Sequence, residues 1–201
     1  MSLPVKNTDA RFGKIAMALH WSVALLFLLL YVSVYYRRWF TEPSTDINMS
    51  ALHLHLSFGI TVAVFVFLRV LYKFWDKTPK DVPGSKLEHF AAHSAHILLY
   101  VVMIVMPLSG YFGTGLPTDF FFAFEIPRFR DTGVYDLVVT QWMGLTWEQF
   151  EGPVDFVHKR GGATVVWMLI AVHIAAALFH HFVRKDETLV RMLPVKLKEE
   201  K

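Results

Sequence analysis

The 201-residue chain has no cysteine, which excludes disulfides, thiolate zinc sites, iron–sulfur clusters and haem attached through a Cys-x-x-Cys-His motif. Charge is also scarce. Lys and Arg number 20 against 17 Asp and Glu, a net +3 too small and too scattered for the basic stripe of a nucleic-acid binder. There is no convincing repeat or low-complexity tract. What is present is apolar: 54% of residues are hydrophobic and 15% aromatic, which points to a single membrane domain over residues 1–201. Ten histidines remain as the strong metal ligands.

Charge-poor stretches predict transmembrane helices over about 15–36, 47–72, 89–113 and 157–183, each long enough for the roughly 20 residues a hydrocarbon core demands. Runs of Leu, Val, Phe and Ala lack the alternation of a barrel strand, so the fold class is an all-α, integral membrane four-helix bundle. The first stretch is longer than the apolar region of a cleavable signal and has no small-x-small cleavage site. It is expected to stay in the mature protein.

Orientation follows from the cations. Lys6, Arg11, Lys14, Lys73, Lys77, Lys80, Lys86, Arg184, Lys185, Arg191, Lys196, Lys198 and Lys201 fall on one side. Only Arg37, Arg38, Arg128, Arg130, Lys159 and Arg160 fall on the other, so both termini are expected to face the cytoplasm. The first two connections are short. The third, about 114–156, is long and periplasmic on this reading, and it mixes Phe120, Phe121, Phe122, Phe124, Trp142 and Trp147 with acids. It reads as an interfacial cap, whether as a plain aromatic anchor or with "VYDLVVTQWMGLTWEQF" as a short amphipathic helix.

A histidine deep in a span is a functional candidate because an ionisable group is costly there. His20 and His173 lie at similar depth toward the cytoplasmic side; His55 and His158 match near the outer side. The fifteen residues from His158 to His173 return to within about 60° of one helix face, with about 22 Å of rise. Helix four can therefore contribute to two stacked metal centres, one with His20 and one with His55. Two imidazoles per centre and no thiolate suit low-spin haem b, whose filled axial positions favour electron transfer.

His53 lies about 200° from His55 on the helix, so only one of them can face the bundle. His89, His93 and His96 form a stripe at the mouth of helix three, suited to the interface or to a substrate. Arg69 interrupts an apolar stretch and is assigned to a propionate of the inner haem, with snorkelling as the alternative. Arg37, Arg38, Lys159 and Arg160 flank the outer haem in sequence. Gly59, Gly161 and Gly162 could let a porphyrin lie against the backbone, or could be plain helix contacts.

The segments "RFGKIAMALHW", "HLSFGITVAVFVFLRVLYK", "AAHSAHILLYVVMIVMPLSGY" and "HIAAALFHHFVRKDETLVRMLP" resemble the bacterial cytochrome b561 family, which includes superoxide oxidase, and the likeness covers nearly the whole chain. It implies two haem b groups on His20, His55, His158 and His173, a bacterial inner-membrane location and ubiquinone as electron partner. The third connection is longer than in superoxide oxidase. The His158–His173 interval is one residue longer than is usual in the family, which a local π-bulge would absorb.

The resulting expectation is a quinone-linked oxidoreductase drawing on a periplasmic one-electron donor. Superoxide is the donor the resemblance brings in, with Arg37, Arg38, Lys159 and Arg160 at its mouth, although the acidic outer loops favour the general reading. His180, seven residues past His173, is the candidate to bond quinone and relay its proton, with Arg11 and Lys14 beside it; an interfacial pair with His181 is the alternative. A rival makes the chain the haem-b anchor subunit of a larger redox complex, docked through the third connection. A divalent-metal transporter is disfavoured by Arg69 and by the scarcity of embedded carboxylates.

Overall fold

The computed structural model describes residues 3–195 and Leu197; Lys196, Lys198 and Lys201, three of the expected cytoplasmic cations, lie outside the described residues. Among the described residues four helices are long and apolar enough to cross a membrane: α1 (Lys14–Phe40), α2 (Asp46–Trp75), α3 (Lys86–Gly113) and α4 (Trp147–Arg184). All run past the expected bounds at one end or both, because hydropathy stops at the first charges while helical hydrogen bonding continues through them.

The largest difference is in α4, which begins at Trp147 and not near 157. A capping box starts it: Thr146 accepts from the Gln149 amide while the Gln149 side chain accepts from the Thr146 amide at 2.9 Å. Glu148, Glu151 and Asp155 obscured this start to a hydropathy reading. At 38 residues, α4 is about 57 Å long, so its first turns stand outside a core of about 30 Å. The stretch before it is not one amphipathic helix. A helical run over 133–142 ends in a π-turn, and Gly144 at φ 66° breaks the chain ahead of α4.

Between α3 and that run lies a hairpin that sequence reading missed, β1 (Thr118–Phe120) antiparallel to β2 (Phe124–Ile126), with Phe120 opposite Phe124. It is fastened to α2: the Asp119 amide donates to His53 Nδ1 (3.1 Å) and the Phe121 amide to Ser57 Oγ (2.9 Å). Beyond it, Phe129, Tyr135 and Val139 are buried against Tyr111, Phe112, Leu145, Trp147 and Phe150, which makes the long connection an aromatic lid on α3 and α4.

In the bundle, α1 packs along α2, α2 along α3, and α3 along the first half of α4. A small core of Val23, Val62 and Val66 ties α1 to α2. Only 6–17% of each span's most apolar stretch is buried, so most side chains face lipid or the space between the helix pairs. That space is bridged by aromatics. The Tyr31 and Trp167 rings lie 4.5 Å apart, Tyr31 Oη donates to the Gly162 carbonyl (2.7 Å), and Trp167 Nε1 donates to Tyr35 Oη (3.0 Å).

Both terminal segments and the α2–α3 connection meet at one end. Buried Arg11 donates to the carbonyls of Leu193 (2.8 Å) and Val195 (2.9 Å), Trp21 Nε1 to that of Met192 (2.8 Å), and Arg191 to that of Lys80 (2.7 Å). Asp9 pairs with Lys77 (2.5 Å) and Lys80 (3.3 Å). The Asp76 carboxylate receives the Tyr72 hydroxyl (2.6 Å) and the Asn7 amide (2.8 Å), which hold it below its ordinary 3.8. A depressed carboxylate stabilises the fold above its unfolded pKa, and that contribution is lost as pH falls through the folded value. Hydrogen exchange should therefore show the Asn7 amide protected at neutral pH, losing protection only below about pH 4. Asp76→Asn should raise its exchange severalfold at neutral pH; equal protection in both proteins would contradict this anchor.

Candidate functional site

The helix pairs bring four histidines from three helices into two facing couples. His20 of α1 meets His173 of α4 with ring centroids 6.2 Å apart and planes at 57°; His55 of α2 meets His158 of α4 at the same 6.2 Å and 75°. Two nitrogen–metal bonds of about 2 Å, with roughly 1.1 Å from each nitrogen to its ring centre, ask for about 6.2 Å between centroids on one line. Both couples have the span of a bis-imidazole metal site.

The couple His55–His158, the outer one on the expected orientation, is aimed by main chain. His55 Nδ1 donates to the Leu30 carbonyl (3.0 Å) and His158 Nδ1 to the Met106 carbonyl (3.0 Å). With the proton held on Nδ1, each Nε2 presents its lone pair, the tautomer a metal ligand needs. A serine stands one turn beyond each carbonyl: Ser33 Oγ is 3.4 Å from His55 Nδ1 and Ser109 Oγ 3.3 Å from His158 Nδ1. Each serine also donates to the same carbonyl, Leu30 (2.9 Å) or Met106 (3.0 Å). Sequence reading missed these braces. Their one signal was a lone hydroxyl in an apolar span, which must find a partner there.

Of the two neighbouring histidines on α2, His55 faces the bundle and His53 turns to the hairpin. Between His158 and His173 the helix winds as a π-turn over Gly161–Val166, which brings the two rings to about 40° of one face. A cavity of about 940 Å³ opens at the outer couple, lined by His55, His158, Gly59 and Gly162. Arg37, Arg38, Lys159 and Arg160 line it as well, so the four expected outer cations share one space. Arg37 is held by Asn48 (3.1 Å) and Lys159 by Asp155 (2.5 Å).

The inner couple has a third imidazole. His96 lies 5.8 Å from His173, so of the α3 stripe it is His96 that reaches the centre, while His89 sits 3.8 Å from Asp81. Arg69 is within electrostatic reach of His20, His96 and His173, and among the described residues its buried Nε has no hydrogen-bond partner. An unpaired guanidinium nitrogen there suits an anionic group of a ligand. Toward the tail end, His180 opens a final π-turn, His180–Arg184, and pairs with Asp186. Lys14 is exposed at the first residue of α1, whereas Arg11 is engaged by the tail.

Four apolar spans enclosing two facing imidazole pairs define a multi-pass membrane protein whose paired histidines have the spacing of metal ligands. The profile of the prokaryotic cytochrome b561 family matches residues 11–195, and the chain belongs to that family. It is 30% identical to cytochrome b561 homolog 1 of Escherichia coli over 190 residues, 92% of this chain and 97% of that protein. It is 30% identical to cytochrome b561 homolog 2 of the same organism over 199 residues, 93% of each chain. It is 28% identical to a probable superoxide oxidase of Yersinia pestis over 188 residues, 92% of this chain and 97% of that protein. Membership makes it a bacterial b-type membrane cytochrome that transfers electrons.

The residues present fit haem: imidazole pairs at metal-bridging distance, an orphaned arginine nitrogen, and Gly59, where an added Cβ would meet nothing closer than Leu30 at 4.0 Å. Gly110 has the opposite role, since its Cβ would lie 2.8 Å from His158 Cε1. Gly110→Ala should force the His158 ring off its carbonyl and cost about 1–3 kcal/mol, read as a lower thermal midpoint in detergent. Gly59→Ala should leave the midpoint of the haem-free chain unchanged; equal midpoints for both variants would show that the ring does not depend on Gly110.

Proposed function

We propose that the chain is a single-domain dihaem b cytochrome of the inner membrane with both termini cytoplasmic, carrying single electrons between a periplasmic donor and membrane quinone, ubiquinone in the first instance. The observation that carries this reading is the pair of 6.2 Å imidazole couples, both drawing a ligand from α4. His20 and His173 would hold the inner haem, His55 and His158 the outer. When bound, each haem supplies a reversible one-electron couple in the low-spin, six-coordinate state that two histidines favour.

The protein's own groups then set what can approach. Arg69 would neutralise a propionate beside the inner couple, where low dielectric makes an unpaired carboxylate costly. At the outer cavity four cations face two carboxylates, Glu151 and Asp155, a local positive balance within an otherwise acidic outer surface. That balance favours a small anion. Superoxide is the narrower reading, supported by the probable superoxide oxidase among the relatives. At the cytoplasmic end His180 is the group to meet a quinone oxygen and exchange its proton, with Lys14 as a cation available there. Arg11 serves indirectly by holding the tail that floors this end.

A pyridine haemochrome assay on the fully loaded protein should return two haem b per chain, and His158→Ala should return one; a single haem in the parent protein would sink the scheme. With superoxide as donor, the double substitution Lys159→Gln and Arg160→Gln should slow its oxidation about tenfold at low salt and flatten the salt dependence. Haem content should not change. An unaltered rate in that variant would remove superoxide from this mouth while leaving the cytochrome reading intact.

A further inference from the structure

The end of α4 turns back on itself to build a carboxylate–imidazole pair. Residues His180–Arg184 wind as a π-turn, Lys185 adopts the left-handed conformation (φ 57°), and the Asp186 amide donates to the His180 carbonyl (3.1 Å). This reversal returns the Asp186 side chain to the ring the helix has just left, with Oδ2 2.5 Å from His180 Nδ1. Thr188 completes the arrangement. Its amide donates to Asp186 Oδ1 (2.9 Å) and its Oγ1 lies 3.4 Å from His180 Nδ1. Both partners are largely enclosed, with side chains 25% and 21% exposed, and among the described residues His180 Nε2 has no hydrogen-bond partner.

We propose that Asp186 is a positioning residue for quinone protonation: it holds the Nδ1 edge of His180 so that Nε2 is the atom that exchanges a proton with a quinone oxygen. The proposal rests on the reading that quinone is the electron acceptor at this end. Reduction of a quinone to the quinol takes two electrons, delivered one at a time from the periplasmic one-electron donor, and two protons. In each protonation the Nε2–H bond of an imidazolium breaks and an O–H bond forms on the quinone. The neutral imidazole then takes a proton back from cytoplasmic water. Beside it, the carboxylate accepts the Nδ1–H and so fixes Nε2 as the nitrogen that carries the exchangeable proton.

The charge at Asp186 is secure. Burial would raise its carboxyl, but the hydrogen bonds from His180 and Thr188 outweigh burial and hold it below the ordinary 3.8. The other charged groups here are Arg184, with Nε 4.0 Å from Asp186 Oδ2 and its Nη1 on Glu88 of α3, and Lys185 and Glu187 in the turn itself. Neighbouring His181 packs against Phe182. Arg184 is already paired across to α3, so Asp186 is the carboxylate committed to His180.

Asp186→Asn separates this role from a structural one, because the amide oxygen can still accept from Thr188 and keep the turn while the charge is lost. In haem-loaded protein in lipid nanodiscs, Asp186→Asn should keep its haem content and lower quinone-reduction turnover about tenfold. Asp186→Glu should restore turnover in part, and Thr188→Ala should leave it in place. Nitrogen-15 spectra of histidine-labelled, reduced protein should show one His180 tautomer in the parent and a mixture in Asp186→Asn. Unchanged turnover and spectra in Asp186→Asn, with quinone reduction abolished by His180→Ala, would overturn the positioning role and leave the quinone reading standing. Full quinone reduction in both variants would overturn both. Loss of haem in Asp186→Asn, unrescued by Glu, would mark a purely structural role and also overturn the proposal.

Discussion

An imidazole ring inside a bilayer has no water to hold it, so every nitrogen that is not a ligand must find a partner in the protein. The outer histidines meet this demand with main-chain carbonyls from neighbouring helices, Leu30 for His55 and Met106 for His158. A carbonyl is a fixed acceptor on a rigid helix, and it selects the Nδ1–H tautomer as it orients the ring. The same two bonds thus satisfy a polar group in lipid and aim a lone pair at the partner ring. Moving either helix by an ångström would lose both effects together.

That requirement explains why the bundle is loosely closed. A tight four-helix core would bring the rings into contact; instead α1 packs on α2, α2 on α3 and α3 on α4, with few fully buried side chains among the described residues. The gap is held open by specific bridges, Tyr31 to Gly162 and Trp167 to Tyr35, in place of continuous packing. The π-turn at Gly161–Val166 lies in the bridged region. It lets one helix serve two couples whose spacing along the chain does not match a whole number of α-turns.

The two ends of the molecule are finished differently, and each finish suits what should approach. At the outer end a lid of aromatic rings and a hairpin pinned to α2 leave a cation-lined opening beside the outer couple. At the other end, short hydrogen bonds and ion pairs tie the N-terminal segment, the α2–α3 connection and the tail into a floor, and the His180–Asp186 pair belongs to that floor. On the proposed function, anion attraction at one face and proton exchange at the other are the complementary needs of electron transfer to quinone.

The four spans, the all-α class and the four paired histidines were legible in the chain because hydropathy and helical phase are properties of each segment alone. The same phase argument separated His55 from His53. The start of α4 at Trp147 was carried by Thr146 and Gln149 but masked by acids, since hydrogen-bonded capping and hydropathy respond to different atoms. The supports of the site were scarcely legible, the lone serines in apolar spans being their one trace. Ser109 and Gly110 reach His158 from about fifty positions away, His96 meets His173 from another helix, and the hairpin depends on Ser57 and His53. Which side chain braces which ring is decided by how far apart, and at what rotation, two helices come to rest. That distance is set by packing between segments, so it exists only once the bundle has formed.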